Sequence, residues 1–149
     1  MHSGEKKSQK QLNRMRDQEH PKCMLCGPSS KSGLKLAFQV NEQDEVTARF
    51  DCSEIYQSYT GILHGGMVSM LLDGAMTNCL FARKIKAVTG ELTVKYLHPV
   101  VTNCEATIAA RVIKSSRRLH YLEAEISQNN IILARARGKF MEFSSVDDL

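Results

Sequence analysis

The sequence has no apolar run long enough to span a bilayer. Residues 1–20 hold only Met1, Leu12 and Met15 as apolar side chains, so the apolar centre of a secretory leader is missing. Both absences predict a cytoplasmic protein without membrane contact. Cysteine is scarce and odd in number: Cys23, Cys26, Cys52, Cys79 and Cys104 predict free thiols rather than a disulfide framework. The formal charge of +4 is too mild for a dedicated nucleic-acid binder, although it favours an anionic ligand. No G-x-S-x-G elbow occurs, which leaves a serine-type triad unsupported. Nor does a second C-x-x-C follow Cys23-Met24-Leu25-Cys26. His20, Cys23 and Cys26 are short of a full tetrahedral ligand set, so this segment is expected to be a tight turn with two buried thiols and no metal. There is no internal repeat and no domain boundary, and 149 residues suit a single core.

Against that ordinary background one stretch stands out. Between Glu54 and Arg83 the only formally charged side chain is Asp73. It is surrounded by Met67, Val68, Met70, Leu71, Leu72 and Ala75. The spacing predicts a helix over residues 65–82, apolar on nearly every face and therefore buried. A lone carboxylate in such a helix costs free energy unless it is paired, hydrogen-bonded or protonated. Asp73 is thus the leading candidate for chemistry. The helix begins at Gly65-Gly66, just after His64. The first N–H groups of a helix lack partners and lie at the positive end of its dipole. A glycine pair there predicts an uncovered patch of donors, suited to an oxygen gaining negative charge.

The rest reads mainly as strands. Residues 1–20 form a polar arm or a short helix over residues 8–18, and residues 21–149 form one domain. Leu34, Leu36, Phe38 and Val40 alternate with Lys35, Ala37 and Gln39, and Val46, Ala48 and Phe50 with Thr47, Arg49 and Asp51, which predicts a hairpin. After the helix come four long strands. In the first, strict alternation puts Val88, Leu92, Val94 and Tyr96 on one face and Thr89, Glu91, Thr93 and Lys95 on the other. Lys114-Ser115-Ser116-Arg117-Arg118 reads as a basic turn and Gln128-Asn129-Asn130 as a tight one. Ala134, Ala136, Gly138 and Phe140 share a face suited to close packing, and the acidic tail from Ser144 is expected to fray. The fold class is α+β, an antiparallel sheet wrapped around one helix. A second subunit is the natural cover for the helix's remaining side.

These features resemble hotdog-fold acyl-CoA thioesterases of the phenylacetate-degradation type. The resemblance runs from Cys23 to Phe143. Its most specific parts are Gly61-Ile62-Leu63-His64-Gly65-Gly66 with Leu72-Asp73-Gly74-Ala75, and Thr93-Val94-Lys95-Tyr96-Leu97-His98-Pro99. It implies a curved antiparallel sheet around a central helix, homodimers that often pair into tetramers, acyl-CoA as substrate and no metal or redox cofactor. It also implies that Asp73 is the catalytic carboxylate. Gly65 would supply the backbone N–H that polarises the thioester carbonyl, with His64 and Gly66 beside it. Thr89 falls where some relatives carry a serine that holds the attacking water, and Ser58 near where they use an asparagine.

Asp73 is expected to act as general base on water or as a nucleophile. Met67 and Met70 are expected to line the acyl channel, and Arg117 and Arg118 to meet the CoA phosphates, with Arg135, Arg137 and Lys139 as further candidates. Gly65 and Asp73 are separated by eight positions, roughly 12 Å along a helix. A single carbonyl cannot meet both from one chain, so the site is expected to combine Asp73 of one subunit with Gly65 of its mate. Other readings of the same residues remain. One is a hotdog protein that binds acyl-CoA without turnover, as a sensor or carrier. Another is a dehydratase or isomerase using His64 with the acid, and a last one is a metal-binding module at Cys23 and Cys26.

Overall fold

Burial alternates at every position from His120 to Gln128 and through most of Leu133–Phe140, the signature of strands covered on one face. A computed structural model describes residues 4–149. Its main elements are α1 (Lys7–Glu19), β1 (Gln39–Val40), β2 (Val46–Asp51), α2 (Gly65–Phe81), β3 (Ala87–Tyr96), β4 (Glu105–Ser116), β5 (Leu119–Gln128) and β6 (Ile131–Glu142). The strands form one antiparallel sheet in the order β1-β2-β4-β5-β6-β3. α2 packs against β2 through β6, as a curved α+β sheet around a central helix requires. Leu71, Leu72, Ala75 and Met76 are wholly buried in α2, as are Ile108 and Phe140 on the sheet. Among the described residues no helix is long and apolar enough to cross a membrane.

α1 is a formed helix, and its Leu12 is fully buried while Met15 packs against the core. The predicted strand through Leu34–Val40 shrinks to Gln39–Val40. Lys35 has φ +48, which breaks an extended run. The Leu34 and Leu36 N–H groups donate instead to the Met24 and Leu25 carbonyls at 2.9 and 2.8 Å. Alternation survives there in burial, not in a ladder. The basic turn is also shorter than predicted: Lys114, Ser115 and Ser116 belong to β4, and only Arg117-Arg118 turn, Arg117 with φ +54. The β5–β6 connection is Asn129-Asn130, with φ +50 and +64, the positive pair that a two-residue hairpin loop prefers. The tail is ordered rather than frayed. A short 3-10 turn, Val146–Asp148, is held by the Asp148 carboxylate accepting from the Ser144 and Ser145 N–H groups at 3.0 and 2.8 Å.

The most consequential departure lies in β3. Its register against β6 shifts between Thr89 and Glu91, so Gly90 is an extra residue. Below the bulge Thr89 stands opposite Phe140; above it Leu92 stands opposite Gly138 and Val94 opposite Ala136. Directly paired residues share a face. Thr89 therefore lies on the α2 side with Leu92 and Val94, and Val88, opposite the partly exposed Met141, lies on the outer side. Strict alternation has both the wrong way round.

His120 is 3% exposed on β5. Its Nδ1 shares a hydrogen bond of 2.7 Å with Ser115 Oγ, and its Nε2 one of 2.8 Å with Glu142 Oε1. Removing one partner of a buried polar group leaves the other to bear its desolvation. Glu142→Ala is expected to lower stability by about 1–2 kcal/mol, seen as a lower urea midpoint with an unchanged slope.

Candidate active site

His64 is the N-cap of α2, with φ −57 and ψ 132, and its Nδ1 accepts the Gly66 N–H at 2.9 Å. The Met67 and Val68 N–H groups donate to the His64 carbonyl at 2.9 and 3.1 Å. Of the opening amides of α2, only the Gly65 N–H has no acceptor among the described residues. The predicted patch of donors from both glycines is thus a single donor, because the histidine imidazole occupies the Gly66 amide. Gly65 is further fixed from β3: the Tyr96 hydroxyl donates to the Gly65 carbonyl at 2.9 Å and shares a 2.6 Å hydrogen bond with Ser69 Oγ.

Two turns on, Asp73 is half-buried rather than submerged. The Thr89 hydroxyl donates to its Oδ1 at 2.7 Å. The bulge at Gly90 makes this contact possible by turning Thr89 toward α2. α2 is buried all round only in its C-terminal half, Thr77 and Asn78 included. Its first half shows Met67, Ser69, Met70 and Asp73 partly exposed. That open side runs along β3, the edge strand of the sheet, which pairs only with β6 among the described residues.

Asp73 and Thr89 are brought together; Gly65, His64 and Gly66 form a separate cluster at the helix start. Met67 and Met70 lie on the open side of α2, half-buried and packed against the core. Ser58 is exposed in the loop before α2, its N–H donating to the Ile62 carbonyl at 2.9 Å. Arg117 and Arg118 are exposed at the sheet end where Thr89 lies, since Leu119 pairs with Met141 and Phe140 with Thr89. An Arg118 guanidinium N–H donates to the Glu142 carbonyl at 2.8 Å. Arg135, Arg137 and Lys139 alternate with buried residues and so occupy the outer face, away from α2. Arg137 pairs with Glu123 at 3.4 Å and Lys139 with Glu91 at 3.4 Å. That face carries a cleft of about 630 Å³ lined by Ile113, Tyr121, Arg137 and Lys139, on the side of the sheet opposite Asp73. The residues that residue-type reasoning missed are Ser69 and Tyr96. Only the position of Tyr96 in the Thr93–Pro99 motif hinted at them.

The cysteines are free. Burial pushes the Cys52 and Cys79 thiols up to about 11, so both stay protonated and inert at neutral pH. Cys26 is buried, but Cys23 is only half-buried, so the predicted pair of buried thiols is one.

The sequence profile of the thioesterase superfamily matches residues 60–134. No curated protein matches the chain significantly. Among solved structures, the E. coli PaaI protein from the phenylacetic acid degradation operon superposes with a TM-score of 0.77 at 17% identity, over 93% of this chain and 95% of that one. The smu.793 protein of Streptococcus mutans, bound to acetyl CoA, gives 0.68 at 17% identity, over 74% and 90%. The thioesterase superfamily protein RHA08564 gives 0.74 at 18% identity, over 79% of this chain and 62% of that longer one. The chain thus spans less than two thirds of the length of that last protein. Half of the chain matches the family profile and its sheet wraps one central helix as in these structures: the protein belongs to the thioesterase superfamily and has the hotdog fold.

Proposed function

We propose that the protein hydrolyses acyl-CoA thioesters to the free acid and CoA. The observation that carries this reading is the pairing, along the open side of one helix, of a hydroxyl-held carboxylate with a single uncovered amide donor. Asp73 acts as general base: a water oxygen attacks the carbonyl carbon while Asp73 takes its proton. The carbonyl oxygen gains charge and is met by a Gly65 N–H. The C–S bond then breaks, and the proton held by Asp73 passes to the departing CoA thiolate, which restores the carboxylate. No metal or redox cofactor enters this scheme. Thr89 occupies Oδ1 of Asp73, which leaves Oδ2 to face the water. Met67 and Met70 line the acyl channel, Ser58 borders the approach, and Arg117 and Arg118 meet the phosphates.

Gly65 and Asp73 are too far apart along α2 to serve one carbonyl, so the site forms between two subunits. The two halves have a common centre. The midpoint of Gly65 and Asp73 on α2 is Ser69, and the midpoint of Thr89 and Tyr96 on β3 falls between Leu92 and Thr93. A two-fold axis through that level pairs the free edges of two β3 strands. The same axis sets Asp73 and Thr89 of one subunit beside Gly65 and Tyr96 of the other. The unpaired edge of β3 is itself a reason to dimerise, because a long edge invites another strand. Pairing of two such dimers gives the tetramer.

A panel of acyl-CoA substrates with free-thiol detection tests the activity. CoA release above the uncatalysed rate is expected for at least one acyl class; none across short, long and aromatic acyl groups would remove the proposal. Within it, Thr89→Val removes the donor to Asp73 at nearly constant volume. A hydrogen bond to a charged group contributes about 1.5–3 kcal/mol, so kcat is expected to fall roughly ten- to hundredfold, with little change in KM.

A further inference from the structure

His20, Cys23 and Cys26 lie where the chain leaves α1 and crosses onto the side of α2. His20 caps α1, its N–H donating to the Arg16 carbonyl at 2.8 Å. The chain then folds back on itself. The Cys23 N–H donates to the His20 carbonyl at 3.1 Å and the Gly27 N–H to the Cys23 carbonyl at 2.9 Å. A Cβ at Gly27 would stand 2.7 Å from the Cys23 carbonyl oxygen and 2.8 Å from that of His20. Only glycine permits so tight a return. The result is a knuckle that turns three side chains toward one point.

One ring nitrogen of His20 and the two Sγ atoms all lie within 4.8 Å of one another, with His20 Nδ1 3.7 Å from Cys26 Sγ. In a tetrahedral zinc site, bonds of about 2.3 Å to sulfur and about 2.0 Å to nitrogen put neighbouring donor atoms roughly 3.5–3.8 Å apart. The cluster needs only small side-chain rotations to reach that spacing. Each sulfur also faces an N–H donor. The Leu25 N–H points at Cys23 Sγ at 3.4 Å, and Asn78 Nδ2, from the buried face of α2, at Cys26 Sγ at 3.7 Å. Donors of this kind orient and support metal-bound thiolates. The His20 ring is itself held edge-on against Phe81, with centroids 4.9 Å apart.

We propose that His20 Nδ1, Cys23 Sγ and Cys26 Sγ bind a thiophilic divalent cation such as Zn²⁺, with a solvent or external donor completing the coordination. The expectation of no metal rests on a count of ligands along the chain; that count is still three, and what the structure adds is that the three converge. On binding, each thiol loses its proton to solvent as its metal–sulfur bond forms; no electron is transferred. The ion fastens the end of α1 and the following turn to α2. Leu25, between the two ligand cysteines, packs over Gly74, where a Cβ would overlap its side chain. Gly74 adjoins Asp73, so the metal knuckle buttresses the helix at the level of the carboxylate without touching it.

The test uses the reduced full chain, stripped of metal and titrated with Zn²⁺ against a chromophoric chelator and with Co²⁺ by absorption. The expected result is one ion per chain, with thiolate-to-cobalt charge transfer and tetrahedral d–d bands. Affinity is expected to fall at least a hundredfold in Cys26→Ser and in His20→Ala, and to stay unchanged in Cys104→Ser. Wild-type chain without the cobalt bands overturns the proposal whatever the variants do, as does a spectrum that survives Cys26→Ser. So does a reduced chain that takes up no zinc but forms a Cys23–Cys26 disulfide in air, which would make the pair a redox couple instead.

Discussion

Asp73→Asn is expected to lower kcat for acyl-CoA hydrolysis by about a thousandfold or more, while the affinity for a non-hydrolysable acyl-CoA thioether changes by less than about threefold. The substitution is nearly isosteric. The amide oxygen can still accept the Thr89 hydroxyl, which is 2.7 Å from Oδ1 in the native chain, so the local geometry is kept. What disappears is the basicity that takes a proton from water, together with the ability to attack the carbonyl directly. Positioned general bases typically contribute about 10²–10⁴ in rate, and a carboxylate serving as nucleophile leaves still less residual turnover. Thermal stability is not expected to fall, because Asp73 is half-buried beside apolar residues and no cation pairs with it among the described residues. Loss of turnover with an intact Tm and intact affinity identifies a chemical role. If wild type binds the thioether but releases no CoA, the chain is a binder, and Asp73→Asn has nothing to remove. Activity that survives the substitution within tenfold places the base elsewhere.

The prominence of Asp73 was legible because it rests on contrast, one acid in a long stretch otherwise free of charge. That the long strands are antiparallel was legible because alternation and turn residues are local; their order, with β3 against β6 and not β4, was not. The position of Thr89 was not, since it depends on one inserted residue at Gly90 that reverses the phase of β3. Nothing in period-two counting marks where a strand bulges; the pairing with β6 decides it. The same limit applies to the helix start. Two glycines look like two free donors until the His64 ring folds back and takes one. Lys35 shows a third kind of failure: a left-handed residue inside an alternating run leaves the burial pattern intact but moves the hydrogen bonds to Met24 and Leu25. In each case the missing information is a backbone conformation or a partner distant in sequence, not a residue type.

The proposed sharing of one site between two subunits makes a prediction that no single-chain arrangement reproduces. Gly65→Pro removes the one uncovered amide of α2 and little else. Proline is favoured at the first position of a helix, and His64, at φ −57 and ψ 132, already has the extended backbone required before it. A Cβ at Gly65 would stand 3.7 Å from the Tyr96 ring, an ordinary contact. The variant should therefore fold and dimerise, but lose about 10²–10³ in kcat, as removal of an oxyanion donor does elsewhere. Refolded alone, Gly65→Pro and Asp73→Asn are each nearly inactive. Refolded together in equal amounts, half of the dimers are mixed. Each mixed dimer joins the intact Asp73 of the proline variant to the intact Gly65 N–H of the asparagine variant in one of its two sites. About a quarter of wild-type activity should return, and it should vanish on dilution below the dimer dissociation constant. If both groups served the same carbonyl within one chain, every chain in the mixture would carry a lesion in its own site. Mixing would then restore nothing.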